Sequence, residues 1–147
     1  MAITQAIANS CKKELLDGDH DFSQSGGDVV KIALYTSSAT LTSATTVYPG
    51  DSTGNQVSNS GQYTQGGGKL VNGGTSMTAG VARCDFADRS FTGVTLTARG
   101  ALIYNTSFSN KAVAVLNFGS DKTATSGTFT IQFPAATSTA AILRISG

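Results

Sequence analysis

Two apolar segments in the second half of the chain constrain its fold more than any other feature. In residues 94–105, Val94, Leu96 and Ala98 alternate with threonines, and the sequence then becomes apolar at several successive positions. Residues 112–118 are again apolar almost throughout. Alternation with a period of two is typical of a half-buried strand, and continuous apolar runs are typical of strands covered on both faces. The Ser- and Asn-rich residues between the segments suit a reversal. We therefore predict a central β-hairpin on which the rest packs.

The composition favours one mainly-β domain. The chain has 147 residues and a mass of 15.0 kDa, enough to bury an apolar core without metals or disulfides. Charged residues make up only 13% and glycines number 17, as expected for neutral sheets joined by Gly-rich turns. We predict a single domain, residues 1–147, forming a mainly-β, antiparallel β-sandwich (jelly-roll-like) with one N-terminal amphipathic α-helix. The net charge of +1 does not indicate a nucleic-acid partner.

The N-terminal residues 1–18 show the spacing of a helix. Four apolar residues recur at every fourth position: Ile3, Ile7, Cys11 and Leu15. Thr4 is a candidate N-cap, and Gly18 stands where a left-handed residue would end the helix. The segment lacks the basic and apolar regions of a signal peptide, and its mixed charges do not indicate membrane binding. Two roles remain open for this helix: it covers one sheet face, or it contacts a neighbouring subunit.

The remaining pattern predicts further strands in residues 28–147. Candidate strands are residues 29–35, 81–86, 128–133 and 140–145, and a polar turn is expected at 119–127. Residues 36–80 are rich in Ser, Thr, Gly and Asn and are expected to form long polar loops. Tyr48, Tyr63 and Met77 are the bulky side chains available to anchor them.

One charged position in the predicted hairpin has competing interpretations. Arg99 lies between apolar stretches, so a buried position requires an ionic partner, for which Asp85 or Asp121 is suitable. A subunit contact is the alternative role for Arg99. The neighbouring Gly100 indicates a bulge or a close backbone approach within the strand.

The acidic residues 17–28 have part of the spacing of a calcium loop. Phe22 stands where that loop requires glycine, and Asp28 replaces the usual bidentate glutamate. A solvated turn is therefore favoured over a metal site. His20 is the one histidine of the sequence, and we expect an exposed loop residue in preference to a metal ligand or general base.

The sequence does not indicate an enzyme, a metal site or a cofactor. Nucleophilic catalysis would depend on His20 alone as the base. Cys11 and Cys84 are too few and too far apart for a zinc site and are expected to remain free thiols. Residues 66–70 lack the spacing of a phosphate-binding loop. Asn105 begins a formal glycosylation sequon without a secretory context.

Several blocks resemble a family of small virion proteins of tailed bacteriophages. The clearest are Thr97-Ala-Arg-Gly-Ala-Leu-Ile-Tyr-Asn105, Ala112-Val-Ala-Val-Leu-Asn-Phe118 and Gly127-Thr-Phe-Thr-Ile-Gln-Phe-Pro134, with further similarity in residues 4–16 and 31–37. The resemblance implies a structural protein of the virion, synthesised in the host cytoplasm, and favours a capsid cement or decoration protein. It implies contacts with the major capsid protein or other virion proteins and a homo-oligomer, with a trimer as one solution. It brings no catalytic residues.

Two other functions stay open at this stage. One is a structural part of the tail, baseplate or neck. The other is a receptor- or glycan-binding module, in which Tyr48 and Tyr63 would line a shallow site. The residues expected to contact partners are Ile3, Ile7, Cys11, Leu15, Tyr48 and Tyr63.

Overall fold

The computed structural model describes residues 2–51, 53–134 and 141–146. One helix and eight strands occur in this part of the chain: β1 Ala6–Ile7, α1 Asn9–Asp17, β2 Val30–Tyr35, β3 Gly68–Lys69, β4 Asn72–Thr78, β5 Val81–Phe86, β6 Arg89–Asn105, β7 Lys111–Ile131 and β8 Leu143–Ile145. They form a five-stranded sheet in the order β1-β7-β6-β2-β3 and a three-stranded sheet in the order β4-β5-β8. All the strand pairs in both sheets are antiparallel. The predicted mainly-β, sandwich-like class with one short helix is confirmed.

The predicted central hairpin is formed by β6 and β7. Their pairing runs from Asn105 opposite Lys111 at the turn to Arg89 opposite Ile131 at the far end. The other edge of β6 pairs with β2, and the other edge of β7 pairs with β1. Residues 101–105 and 112–115 are buried because both faces of the hairpin are covered here.

Strand β7 is longer than the sequence predicts. The expected turn at residues 119–127 is wrong, because these residues continue the ladder with β6. Bulges accommodate the irregular backbone, with positive φ at Gly119 and Ser126. Outward-facing hydroxyls also connect the strands, as in the 2.8 Å hydrogen bond between Thr97 and Thr123.

The long segment 36–80 is not a set of loops lying outside the core. It contains β3 and β4, and it places six apolar or aromatic residues in the core: Ala39, Leu41, Tyr48, Val57, Tyr63 and Leu70. Met77, however, is 73% exposed and does not anchor the segment. It lies on β4, a strand at one end of the smaller sheet.

The N-terminus forms a shorter helix than its apolar spacing predicts. Ile3 bridges to Leu41, and Ile7 lies in β1 opposite Ala114, so the first residues adopt extended pairing. Helix α1 begins only at Asn9, and Thr4 is therefore not its N-cap. Gly18 does close the helix, with φ of 80° and backbone hydrogen bonds to the last turn, as predicted. In the described ranges, no helix combines the length and apolar character that a membrane crossing requires.

Two further strand predictions are accurate in position. Strand β5 coincides with residues 81–86, and Phe129 and Ile131 at the end of β7 are buried. The last strand is shorter than expected and comprises Leu143–Ile145, where Leu143 pairs with Cys84. Residue 140 of the predicted strand lies outside the described residues.

Candidate interaction surface

Four of the six residues expected to contact partners lie in the core. Ile3, Cys11, Tyr48 and Tyr63 are each at most 9% exposed. Ile3 packs on the backbone of Gly100, where an added Cβ would lie 2.8 Å from Ile3 Cγ2 and 2.5 Å from the carbonyl oxygen of Leu116. The close approach predicted at Gly100 is thus confirmed, while these four side chains hold the fold together from inside.

Tyr48 and Tyr63 are joined through a buried glutamine. Tyr63 Oη donates to Gln56 Oε1 at 3.0 Å, and Gln56 Nε2 donates to Tyr48 Oη at 2.8 Å. Tyr48 Oη donates in turn to Asp51 Oδ1 at 2.6 Å, while Tyr63 Oη accepts from the Leu34 amide at 2.8 Å. This network orders residues 36–80 against β2. It leaves neither ring free to line a shallow glycan site.

Burial keeps the phenols of this region neutral. It raises the pKa of Tyr104 to about 12, with the Asp51 carboxylate as a smaller cause. Burial also raises the pKa of Tyr63, although the hydrogen bond from Leu34 opposes that change. These hydroxyls therefore act as hydrogen-bonding groups and not as nucleophiles at neutral pH.

His20 is not an exposed loop residue, which corrects the sequence prediction. Its imidazole is fully buried, 3.2 Å from Glu14 Oε1 through Nε2 and 2.9 Å from Asn105 Nδ2 through Nδ1. The ring stacks on Phe22 with centroids 5.6 Å apart and meets the edge of Phe108. His20 thus ties the end of α1 to the end of β6.

The surrounding groups fix which nitrogen of His20 carries the proton. Asn105 Nδ2 also donates to Asp28 Oδ2 at 2.7 Å, and Asn105 Oδ1 accepts from the Ser107 amide at 2.9 Å. The amide orientation is therefore determined, and Nδ1 of His20 must accept while Nε2 donates to Glu14. The same burial encloses the Asn105 nitrogen that glycosylation would modify.

Arg99 is paired but not buried. Its Nε lies 3.0 Å from Asp121 Oδ1, and the two side chains are 37% and 50% exposed. One of the two predicted partners is correct, whereas the predicted buried charge is wrong. Asp85 instead accepts a hydrogen bond from the Phe86 amide. A half-exposed pair of this kind contributes little to stability.

The two cysteines are free thiols, as predicted, and both are buried. Burial raises the pKa of Cys11 to about 12, with Glu14 as a second cause. Burial also raises the pKa of Cys84 to about 12, assisted by Asp85 and Cys11. Because the thiolate is the reactive form, both thiols are chemically inert at neutral pH.

The other two predicted contact residues, Ile7 and Leu15, line an open cleft of about 420 Å³ between α1 and β8. Its apolar lining is completed by Leu16, Leu143 and Ile145. Leu16 is 90% exposed and Ile145 is 58% exposed. We call this cleft, with these five side chains, the α1–β8 groove.

The α1–β8 groove lies where the two sheets end. Strand β1 is the last strand of the larger sheet and β8 the last strand of the smaller one. Within the described ranges, β5 is the one strand that pairs with β8.

The charges at the α1–β8 groove are basic. Lys12 and Arg144 line it, and Arg83 stands directly opposite Arg144 across the β5–β8 pair. The nearby acidic residues of α1 have other partners: Glu14 contacts His20, and Asp17 pairs with Lys13. Basic side chains therefore stand beside the apolar lining of the groove.

Among the residues described, no group of three or more His, Cys, Asp or Glu side chains could hold a metal ion. Comparison with protein-family models, curated proteins and solved structures finds no match to this chain.

Proposed function

We propose that this protein is a structural component of a tailed-bacteriophage virion, acting as a cement or decoration protein on the outer capsid. The observation that carries the proposal is the α1–β8 groove, which exposes the apolar side chains of Leu16 and Ile145. A contiguous exposed apolar feature of this kind is typical of a protein–protein contact. The resemblance of residues 97–105, 112–118 and 127–134 to small virion proteins agrees with it.

The energetics of the groove suit repeated contacts. Complete burial of a Leu or Ile side chain contributes about 1.5–3 kcal/mol, so two such residues give one weak contact per copy. When copies on a symmetric shell are linked to one another, their weak contacts act together, because a copy held by its neighbours stays close to its own binding site. The net charge of +1 allows identical copies to lie close together without strong repulsion.

The proposed partners are the major capsid protein and other copies of this chain. A closed homo-oligomer, such as a trimer, would match the local symmetry of a shell. The proposed location is the assembled virion, after synthesis in the host cytoplasm. The proposal assigns no catalytic step and no cofactor to the chain.

Counting copies in purified particles of the phage that encodes the chain tests this function. Quantitative mass spectrometry is expected to find on the order of hundreds of copies per virion, and cryo-electron microscopy to place them outside the shell. A few to dozens of copies would instead support a tail, baseplate or neck protein. Absence from the particles would contradict both functions.

A further inference from the structure

Strand β4 is an end strand of the smaller sheet and the longest end strand in the described ranges. It has seven residues, Asn72–Thr78, whereas the other end strands β1, β3 and β8 have two, two and three. Within the described residues, β5 is the one strand that pairs with β4. Proteins usually keep exposed end strands short or charged, because their backbone groups can pair with another chain. The outer edge of β4 is therefore a candidate contact.

The first residues of β4 are held by the loop before β2. Asn72 Nδ2 donates to the carbonyl oxygens of Ser23 and Asp28, both at 3.1 Å. The ladder with β5 is irregular between Asn72 and Gly74. Beyond this irregularity, all four residues 75–78 are exposed. The free edge of β4 is thus the stretch 75–78.

The hairpin turn between β4 and β5 determines which backbone groups face outward. Thr78 pairs with Val81 across a two-residue turn, whose residues have φ of 53° and 76°. In such a turn the two closing residues exchange both hydrogen bonds, and hydrogen-bonded pairs then alternate with non-hydrogen-bonded pairs along the ladder. Thr75 and Met77 therefore direct their N–H and C=O groups away from β5, at the free edge.

A second copy of the same strand matches these outward groups. If two β4 strands meet antiparallel about a two-fold axis at Ser76, Thr75 of each copy lies opposite Met77 of the other. Each of these two pairs exchanges two hydrogen bonds, so no outward N–H or C=O of either residue is left without a partner. The side chain of Met77, which is 73% exposed, then lies beside Thr75 and diagonal to Met77 of the second copy, within reach of a long side chain.

The charges permit a contact between identical copies. Strand β4 carries no charged side chain. The charge beside its free stretch is Arg83, opposite Ser76 on β5. In the two-fold pairing the two copies of Arg83 are three strand spacings apart, about 14 Å, which exceeds the screening length of about 10 Å in about 0.1 M salt. A charged segment of another protein gains no opposite charge on β4, which favours a second copy as the occupant.

We infer that two copies of this protein associate by antiparallel pairing of the β4 edge, with the two-fold axis at Ser76. The pairing joins the two smaller sheets into one continuous sheet. It forms a dimer, the simplest closed homo-oligomer. This inference goes beyond the proposed function, because the pairing requires no virion and uses a surface other than the α1–β8 groove.

The first measurement is the mass of the purified wild-type protein in solution. Contacts smaller than about 1,200 Å² are weak, so sedimentation equilibrium should extend from about 10 µM to about 1 mM protein. The mass is expected to rise from 15.0 kDa towards twice that value as the concentration increases. A mass of 15.0 kDa at every concentration overturns the inference and leaves the proposed capsid contact untouched.

Two substitutions of Met77 separate the backbone contact from the side chain. Met77→Pro removes an outward N–H without removing a hydrogen bond of the β4–β5 hairpin, and proline is tolerated where the N–H of an end strand faces solvent. Met77→Thr removes the same side chain but keeps the N–H. After thermal melting has established that both are folded, we expect the dimer of Met77→Pro to be at least tenfold weaker than that of Met77→Thr. Equal dimerisation of the two variants overturns pairing through the β4 backbone.

A pair of cysteine variants tests the register. In the two-fold pairing Ser76 lies opposite Ser76 of the second copy, with Cα atoms about 4.5 Å apart, a distance that a disulfide can span. Thr78 points to the same face but lies opposite Gly74, roughly 14 Å from Thr78 of the second copy. Oxidised glutathione is therefore expected to convert Ser76→Cys into a disulfide-linked dimer and to leave Thr78→Cys monomeric on a non-reducing gel. The native Cys11 and Cys84 are buried and serve as the background in wild type.

Each outcome of the cross-linking experiment bears on the inference. Preferential cross-linking of Ser76→Cys supports the two-fold pairing at this position. Equal cross-linking of the two variants, or cross-linking of Thr78→Cys alone, overturns the register and with it the pairing of the outward groups. Failure of Ser76→Cys to cross-link at a concentration where wild type is dimeric assigns the dimer contact to another surface.

Discussion

At the scale of single residues, neighbouring tyrosines have opposite hydrogen-bonding environments. Tyr63 Oη bonds both the Leu34 amide and Gln56. Tyr35 Oη is equally buried but has no hydrogen-bond partner among the described residues. An unsatisfied buried hydroxyl costs free energy, whereas a satisfied one supports the groups that it bonds.

We therefore predict opposite effects of removing the two hydroxyls. Tyr63→Phe is expected to lower the free energy of unfolding by about 1–3 kcal/mol, because Leu34 and Gln56 each lose a partner in the core. Tyr35→Phe is expected to leave it unchanged or raise it, because no bond is lost. Urea denaturation of both variants measures the difference. A loss for Tyr35→Phe as large as that for Tyr63→Phe would show that Tyr35 Oη has a partner in solution.

The sequence could not predict the residue-scale networks because their partners are remote along the chain. His20 and Asn105 are separated by 85 positions, and the polarity of residues 17–21 favoured an exposed turn. Gln56 occupies a polar segment in which nothing local marks it for burial. Arg99 shows the reverse case: its sequence neighbours are apolar, but its outward position leaves it paired with Asp121 at the surface.

At the scale of secondary-structure elements, the packing of Ile3 against the β6–β7 hairpin depends on Gly100. Any side chain at this position meets the carbonyl of Leu116 on β7 as well as Ile3. Gly127 on the same hairpin is different, because an added Cβ would lie 3.5 Å from its nearest neighbour, the Thr125 carbonyl oxygen. The two glycines therefore provide a matched pair on adjacent strands.

Gly100→Ala is expected to destabilise the fold by about 1–3 kcal/mol, because the new methyl group must displace backbone or Ile3. Gly127→Ala is expected to be neutral or slightly stabilising, because alanine reduces the freedom of the unfolded chain without a clash. Thermal unfolding of the two variants is the measurement. Equal melting temperatures would mean that the N-terminal segment does not press on Gly100.

The elements predicted best from the sequence are those whose apolar residues, as spaced along the chain, are also the buried residues of the structure. The apolar residues of β2, β5 and the β6–β7 hairpin have few alternative placements. The four-residue spacing from Ile3 to Leu15 was misleading, because pairing with β7 takes Ile7 before the helix starts. Ile7 and Leu15 of the groove were among the residues expected to contact partners, whereas Leu16, which is 90% exposed on α1, was expected only to widen the apolar face of the helix.

At the scale of the whole molecule, burial of ionisable groups is expected to make the free energy of unfolding decrease at alkaline pH. Cys11 and Cys84 have pKa values raised from 9.0 to about 12, and Tyr104 from 10.0 to about 12. The folded state holds these protons more tightly than the unfolded state. Their contribution is fully present below about pH 9 and is lost as pH rises through about 12.

The free energy of unfolding is accordingly expected to be flat with respect to these groups from pH 7 to 9 and to fall between pH 9 and 12. Cys84→Ala removes one of them and is expected to reduce the slope of that fall, whatever it does to stability at pH 7. Urea denaturation in a series of buffers measures both curves. Parallel curves for wild type and Cys84→Ala would contradict an un-ionised thiol in the folded state.

The pairing of β1 with β7 has a consequence for biosynthesis. Ala6 and Ile7 are synthesised more than a hundred positions before their partners Val115 and Ala114. Strand β1 therefore cannot pair until β7 has been synthesised, and non-local pairings of this kind close slowly. The larger sheet is completed only after β7 has left the ribosome, and until then nascent chains on one messenger can associate through their unpaired strands.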